Sequence, residues 1–254
     1  MTGFLASVRN VHQARIALSA GADLIDLKDP ERGSLGALSC AEVGETVRAL
    51  GGARMVSATV GDLPMEPLRV TRAVRQMADT GVDYVKVGIS ARGDTLATVR
   101  ALAGITRPGL HLIAVLFADE GAMPVPIEIL AGAGFHGCML DTQDKSRGPL
   151  TSVLSIEALH RFVRAVREHA LLCGLAGSLR LEDIPALVAL QPDYLGFRGA
   201  LCRRGQRTED LDRDRVLAIA QLVRTQQLSV CHPADGDGYP PTRRMDSSQV
   251  EGFA

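Results

Sequence analysis

Lysine is almost missing from this chain. Of its 28 basic residues only three, Lys28, Lys86 and Lys145, are lysine; the rest are arginine. Other absences narrow the field. No stretch approaches the roughly 18 uninterrupted apolar residues that span a bilayer. The N-terminus, MTGFLASVRNVHQ, has no charged leader ahead of a long apolar run. A cytoplasmic protein with no membrane attachment is therefore expected. The formal net charge is -1, so no basic excess points to nucleic acid or an anionic surface. The five cysteines are odd in number and show no CxxC spacing, which suits free thiols in a reducing compartment. Histidines at HxH or HxxxH spacing, GxSxG, a P-loop and GxGxxG are all absent. Neither a metal nor a nucleotide cofactor is implied.

What is present is alternation. With 254 residues and 46% hydrophobic composition the chain can bury the core of one large domain. Short apolar segments bounded by Gly, Pro or Asp predict strands over Phe4–Val8, Asp23–Lys28, Met55–Val60, Asp83–Gly88, Leu110–Phe117, Gly137–Asp141, Leu171–Ala176 and Asp193–Arg198. Amphipathic stretches lie between them. In SIEALHRFVRAVREHA, Ile156, Leu159, Phe162, Val163 and Val166 fall at helical spacing. A weak repeat marks the passage from helix end to strand: AGADLIDLK, TGVDYVKVG, AGFHGCMLD and LQPDYLGFRG. Eight such units with near-continuous apolar strands call for a parallel sheet covered on both faces. The economical closure is a (β/α)8 barrel over residues 1–224, in the α/β class; an open doubly wound sheet is the alternative. From about Thr225 the pattern lapses into a Pro-, Gly- and polar-rich stretch that reads as a flexible tail, 225–254.

In such a barrel the chemistry belongs at the C-terminal ends of the strands. Residues two apart on a strand share a face. Leu24, Asp26 and Lys28 share one face, as do Tyr84, Lys86 and Gly88, and Met139 and Asp141. Apolar neighbours suit the strand–helix layer, which leaves Asp26, Lys28, Lys86 and Asp141 at the barrel mouth, with Ser57 and Thr59 from the third strand. Structural ion pairs would explain any one of these charges. The lysine usage favours amine chemistry. Arginine serves as surface charge but holds its proton, whereas a desolvated lysine can release it and act as nucleophile or base. With a carbonyl substrate such a lysine forms a Schiff base, the logic of class I aldolases. Lys145 lies in a polar loop after the sixth strand, where a solvated lysine or a phosphate contact fits. For an anion, Gly177 and Ser178 lead into a helix starting near Leu181, and Arg198 and Gly199 follow the eighth strand. Small residues there let backbone N–H groups approach a phosphate. Arg203, Arg204 and Arg207 read as a solvated run, with an extension of this positive field as the alternative.

Taken in order, GADLIDLKDPERGSLGA, SATVGDLP, DYVKVG, MLDT, LAGSL and GFRGA resemble the (5-formylfuran-3-yl)methyl phosphate synthases over residues 4–224. The resemblance implies a (β/α)8 barrel that condenses two molecules of glyceraldehyde 3-phosphate, releases phosphate and water, and supplies a furan precursor of methanofuran-type cofactors. It implies Lys28 as the Schiff-base residue, Lys86 as general base, and Asp26 and Asp141 in the same site. Lys145 falls in a more variable loop. No cofactor is implied. Two phosphorylated substrates suggest a second anion site, for which Gly33, Ser34 and Gly36, joined by Thr59, Gly61 and Asp62, are candidates, and the loop carrying Ser34 is expected to act as a lid. A homo-oligomer is expected. Two alternatives stay open: another class I aldolase or triose-phosphate isomerase-like enzyme, and a non-catalytic sugar-phosphate-binding barrel.

Overall fold

The computed structural model describes residues 1–230 apart from Arg107, with side chains described to residue 227. Eight strands run in parallel: β1 (Gly3–Val8), β2 (Leu24–Leu27), β3 (Met55–Thr59), β4 (Tyr84–Ile89), β5 (His111–Phe117), β6 (Gly137–Asp141), β7 (Leu172–Leu175) and β8 (Tyr194–Phe197). They close in sequence order, with β1 hydrogen-bonded to β8. All eight predicted strands are present, each end within a residue of the expected one. The helices are α1 (Val11–Ser19), α2 (Cys40–Leu50), α3 (Pro67–Ala78), α4 (Thr95–Ala103), α5 (Ile127–Gly132), α6 (Leu150–Val153), α7 (Ile156–Glu168), α8 (Ile184–Ala189) and α9 (Arg213–Val230). Their starts carry local signals. Asn10 caps α1, Ser39 and Glu42 form a capping box on α2, Asp94 caps α4 and Ser155 caps α7. Helix α7 buries Leu159, Phe162, Val163 and Val166; Ile156, at its first turn, stays 38% exposed. Burying each of the four stabilises by about 1.5–3 kcal/mol.

The apolar residues form two separate clusters. The larger fills the layer between strands and helices, with Ile25, Leu27, Val85, Val87, Cys138 and Leu140 on the outward side. The smaller fills the barrel interior, with Leu5, Leu24, Tyr84, Val115, Phe117 and Met139. Two members of the interior cluster lie off the strands: Ala176, just past β7, and Leu35. Leu35 descends from the loop after β2. The seam between first and last strands is sealed by Phe4 and Phe197, edge to face at 5.8 Å.

The sequence repeat has a structural cause. Asp23, Asp83 and Asp193 precede β2, β4 and β8. Each carboxylate accepts the backbone N–H of a residue in the preceding strand: Phe4, Val56 and Cys173 at 2.8, 2.7 and 2.7 Å. Each aspartate N–H donates back to the carbonyl of that same residue. Two residues earlier, Gly21, Gly81 and Gln191 have positive φ, and Gly134 does so ahead of β6. The chain turns there through the left-handed region after each helix.

The C-terminal boundary differs from the expected one. Helix α9 continues through Thr225 to Val230. Once nucleated, a helix propagates on backbone bonds and needs no apolar periodicity, and Thr225 Oγ1 adds a bond to the Gln221 carbonyl at 2.9 Å. The rest of the tail expectation, including Cys231, lies outside the described residues. Among those described, no helix is long and apolar enough to cross a membrane.

Candidate active site

The barrel mouth opens into a cavity of about 480 Å³. Ten of the residues singled out from the sequence line it: Asp26, Lys28, Ser34, Lys86, Asp141, Lys145, Gly177, Ser178, Arg198 and Gly199. Ser57, Thr59, Gly33, Gly36, Gly61 and Asp62 are not in the lining, and Thr59 points its hydroxyl at the Leu35 carbonyl. All three lysines of the chain therefore meet in one cavity.

Adjacent on one strand face, Asp26 and Lys28 make their ion pairs elsewhere. Asp26 pairs with Lys86 across β3, Nζ to Oδ1 at 2.8 Å, both side chains almost fully buried. Ser57 Oγ donates to the same Oδ1 at 2.7 Å and Ser7 Oγ to Oδ2 at 2.9 Å. The register places Ser7, Asp26 and Ser57 side by side on β1, β2 and β3. Burial pushes the Asp26 carboxyl up, but Lys86, then Lys28, then the hydrogen bonds outweigh it and hold the group below the usual carboxylate range. Asp26 is thus an ionised, fully bonded anchor for the Lys86 amine. Ser7 carries no charge to mark it in the sequence, although alternation along Phe4–Val8 puts it on the same face as Leu5.

The second carboxylate serves two lysines. Asp141 Oδ2 lies 3.8 Å from Lys28 Nζ, and its Oδ1 lies 2.5 Å from Lys145 Nζ. The Thr142 N–H donates to Oδ1 at 2.7 Å. Burial again opposes ionisation; Lys145, then Lys28, reverse it and leave the carboxyl lowered. Lys145 is no solvated loop residue. It enters from a short 3-10 turn, Lys145–Arg147, and its ammonium also bonds the Thr142 carbonyl. Burial lowers its pKa, Asp141 opposes that shift, and Lys28 reinforces it. This amine is biased toward losing its proton.

The expected anion contacts divide. Gly177 has φ 110°, and a Cβ there would lie 2.9 Å from Thr142 Cγ2, so the turn after β7 needs glycine to pack on the loop after β6. Ser178 follows at φ 49°, and the first helical turn begins at Leu181 as a 3-10 segment. Arg198 is different. Four of its five N–H groups donate within the protein: to the Arg207 carbonyl at 2.7 Å, Gln13 Oε1 at 2.8 Å, the Ser7 carbonyl at 3.1 Å and the Glu209 carbonyl at 3.2 Å. It braces the β8 loop against β1. Ser34 donates to Gln143 Oε1 at 2.8 Å and to Asp62 Oδ1 at 3.3 Å. With Asp62 there, the surroundings of Gly33 and Ser34 present negative charge. Positive charge comes from Arg180, Arg207 and Arg215, which line the cavity, and Arg207 brings it up to the Gly33 carbonyl.

The fold and mouth define a (β/α)8-barrel protein whose lysines and carboxylates converge at the C-terminal ends of the strands. Its relatives are specific. Residues 4–220 match the family described as 4-HFC-P synthase, and the chain belongs to that family. A relative from Methylorubrum extorquens is 44% identical over 87% of this chain and 91% of its own. Two proteins named (5-formylfuran-3-yl)methyl phosphate synthase are similar over nearly their whole length. The one from Methanopyrus kandleri is 38% identical, covering 87% of this chain and 95% of its own. The one from Methanococcus maripaludis is 35% identical, covering 87% and 98%. Among solved structures, phosphoribosyl anthranilate isomerase from Thermotoga maritima superposes with a TM-score of 0.62 at 14% identity, over 89% of this chain and all of its own. That likeness concerns the barrel alone.

Proposed function

We propose that this chain is a (5-formylfuran-3-yl)methyl phosphate synthase that condenses two glyceraldehyde 3-phosphate molecules through a lysine Schiff base. The observation that carries the reading is the meeting of all three lysines in one cavity whose lining holds seven basic and three acidic side chains. Such a site suits a doubly phosphorylated pair of substrates and an amine nucleophile. Lys28 attacks the triose carbonyl and forms the imine. Lys86, held by Asp26, moves the proton at the adjacent carbon and turns the imine into an enamine. The enamine carbon attacks the aldehyde of the second triose. A hydroxyl of the second triose unit closes the ring on the imine carbon and expels Lys28, and elimination of one phosphate and one water, besides the water released as the imine formed, gives the furan. Asp141 holds the Lys28 and Lys145 amines together. The turn at Gly177 and Ser178 receives the phosphate that the product keeps. The free thiols Cys40, Cys138, Cys173 and Cys202 suit a reducing setting; we place the protein in the cytoplasm, making a precursor of methanofuran-type cofactors.

Incubation with glyceraldehyde 3-phosphate alone should produce the ultraviolet absorbance of a furan aldehyde together with free phosphate. Borohydride added during turnover should trap an adduct that maps to Lys28, and Lys28→Arg should keep the charge yet lose turnover by at least about a thousandfold. Interconversion or cleavage of trioses without furan would replace this reading with a general aldolase or isomerase. Saturable binding without turnover would leave a sugar-phosphate-binding barrel. An adduct on Lys145 in place of Lys28 would move the nucleophile.

A further inference from the structure

Arg207 belongs to a run that reads as solvated, yet its guanidinium reaches across the mouth. Its Nη2 donates to the carbonyls of Pro30 and Gly33, in the loop that directly follows Lys28. That loop is a closed unit. The Asp29 N–H bonds the Gly36 carbonyl at 2.8 Å across its base, and Asp29 caps the 3-10 turn Pro30–Arg32. It carries Leu35 down into the barrel, where Leu35 is 2% exposed and packs in the interior cluster. The fit is tight: a Cβ on Gly88, just beyond Lys86, would lie 2.9 Å from Leu35 Cδ1. On the β3 side, Thr59 and Asp62 hold the Leu35 backbone by its carbonyl and its N–H. A Cβ on Gly33 would overlap Asp62 Oδ2 at 2.2 Å, so the backbone lies directly on that carboxylate.

We propose that Arg207 is a positioning residue that clamps this loop from the β8 side, and thereby holds Leu35 as a dry roof over the lysine pair. The geometry separates two kinds of tie. Arg9–Glu31 also reaches the loop, at 3.2 Å, but between partly and largely exposed side chains, where an ion pair holds little. Arg207 grips main-chain carbonyls at both ends of the turn through the two N–H groups of Nη2, a nitrogen that arginine carries farther from the backbone than lysine carries its Nζ. Its own backbone is fixed through its carbonyl by Arg198. A chain of contacts therefore runs from β1 and β8 through Arg198 and Arg207 to the loop after Lys28. Water exclusion matters here because an imine and an enamine are both lost to hydrolysis. The kinetic part of this inference rests on the proposed Schiff-base function; the clamp does not.

Two measurements on the full chain test it. The loop contains Arg32, whose side chain is 71% exposed, so trypsin reports loop opening by cleavage of the Arg32–Gly33 bond. Arg207→Met and Arg207→Lys should each raise that cleavage rate about tenfold or more, measured by mass spectrometry against cleavage after Arg164 in the same digest. With glyceraldehyde 3-phosphate, both variants should lose kcat about tenfold while KM moves less than about threefold. The lysine variant should not rescue, although it keeps the charge. Wild-type cleavage at Arg32, wild-type kcat, or full rescue by lysine each overturns the proposal. Should Arg207→Met fail to fold, Arg207→Lys carries the test. If the wild-type protein makes no furan from the triose, the proposed function fails, while the protease result still decides the clamp.

Discussion

At the residue scale the mouth is a problem in charge pairing, solved with two buried carboxylates and three lysines. Alternation along β2, β4 and β6 made Asp26, Lys28, Lys86 and Asp141 legible, because an apolar strand tolerates a charge only where it opens to a site. The pairing was not legible. Alternation fixes which face a residue occupies, and the stagger between strands decides whom it meets. Hence Asp26 bonds Lys86 and Lys28 faces Asp141. Asp141 offers a direct check. Its folded pKa is lowered by Lys145 and Lys28 against the effect of burial. A depressed carboxylate contributes stability above its unfolded pKa of about 3.9, and that stability is lost as pH falls through the folded value. Asp141→Asn should cost about 2–4 kcal/mol at pH 7, below the most for a buried pair because Lys145 is 21% exposed. The gap to wild type should narrow as the pH is taken from 5 to 2, read by urea unfolding. A gap that stays constant over that range would mean that Asp141 is not an ionised partner.

At the element scale the barrel divides its labour between alternate strands. Even-numbered strands and the residues at their ends supply the charges: Asp26 and Lys28, Lys86, Asp141, and Arg198. Odd-numbered strands supply Ser7, Ser57, Thr59 and apolar residues such as Leu5 and Val115. The recurring aspartates follow the same two-strand period, which is why the repeat showed in the sequence as glycine, one residue, then aspartate. Where Gln191 stands for glycine and His136 for aspartate the signal fades, though the left-handed turn persists at φ 57° and 79°. Loop contacts left no such mark. Leu35, Gln143 and Arg207 act through positions fixed only once the barrel closes. The aspartates carry a prediction independent of any activity. Asp193→Ala leaves the N–H of fully buried Cys173 without its acceptor, a loss of about 1–3 kcal/mol. Asp193→Asn retains an acceptor oxygen and should recover at least half of it. Urea unfolding of both variants decides this; equal losses would assign the cost to the ionised carboxylate and not to the strand-to-strand bond.

At the scale of the whole molecule, charge is distributed against its average. The chain carries a formal net charge of -1, yet the cavity lining holds seven basic and three acidic side chains. A concave mouth with an excess of one sign concentrates field lines and attracts counter-ions over several ångströms. Much of that field comes from Arg180, Arg207 and Arg215 around the rim, where solvent ions reach, and less from the paired charges beneath. Rim charges are screened by salt and buried pairs are not, since the Debye length falls from about 10 Å at 0.1 M to about 3 Å at 1 M. The two contributions can therefore be separated kinetically. Raising potassium chloride from about 20 to 500 mM should lower kcat/KM for glyceraldehyde 3-phosphate by about fivefold or more, almost entirely through KM. Glyceraldehyde, which lacks the phosphate, should form its borohydride-trapped adduct on Lys28 at a rate that salt leaves unchanged. Equal salt dependence for the two compounds would show that salt acts on the lysine–carboxylate pairs themselves, and the rim would then have no part in drawing the substrate to the lysines.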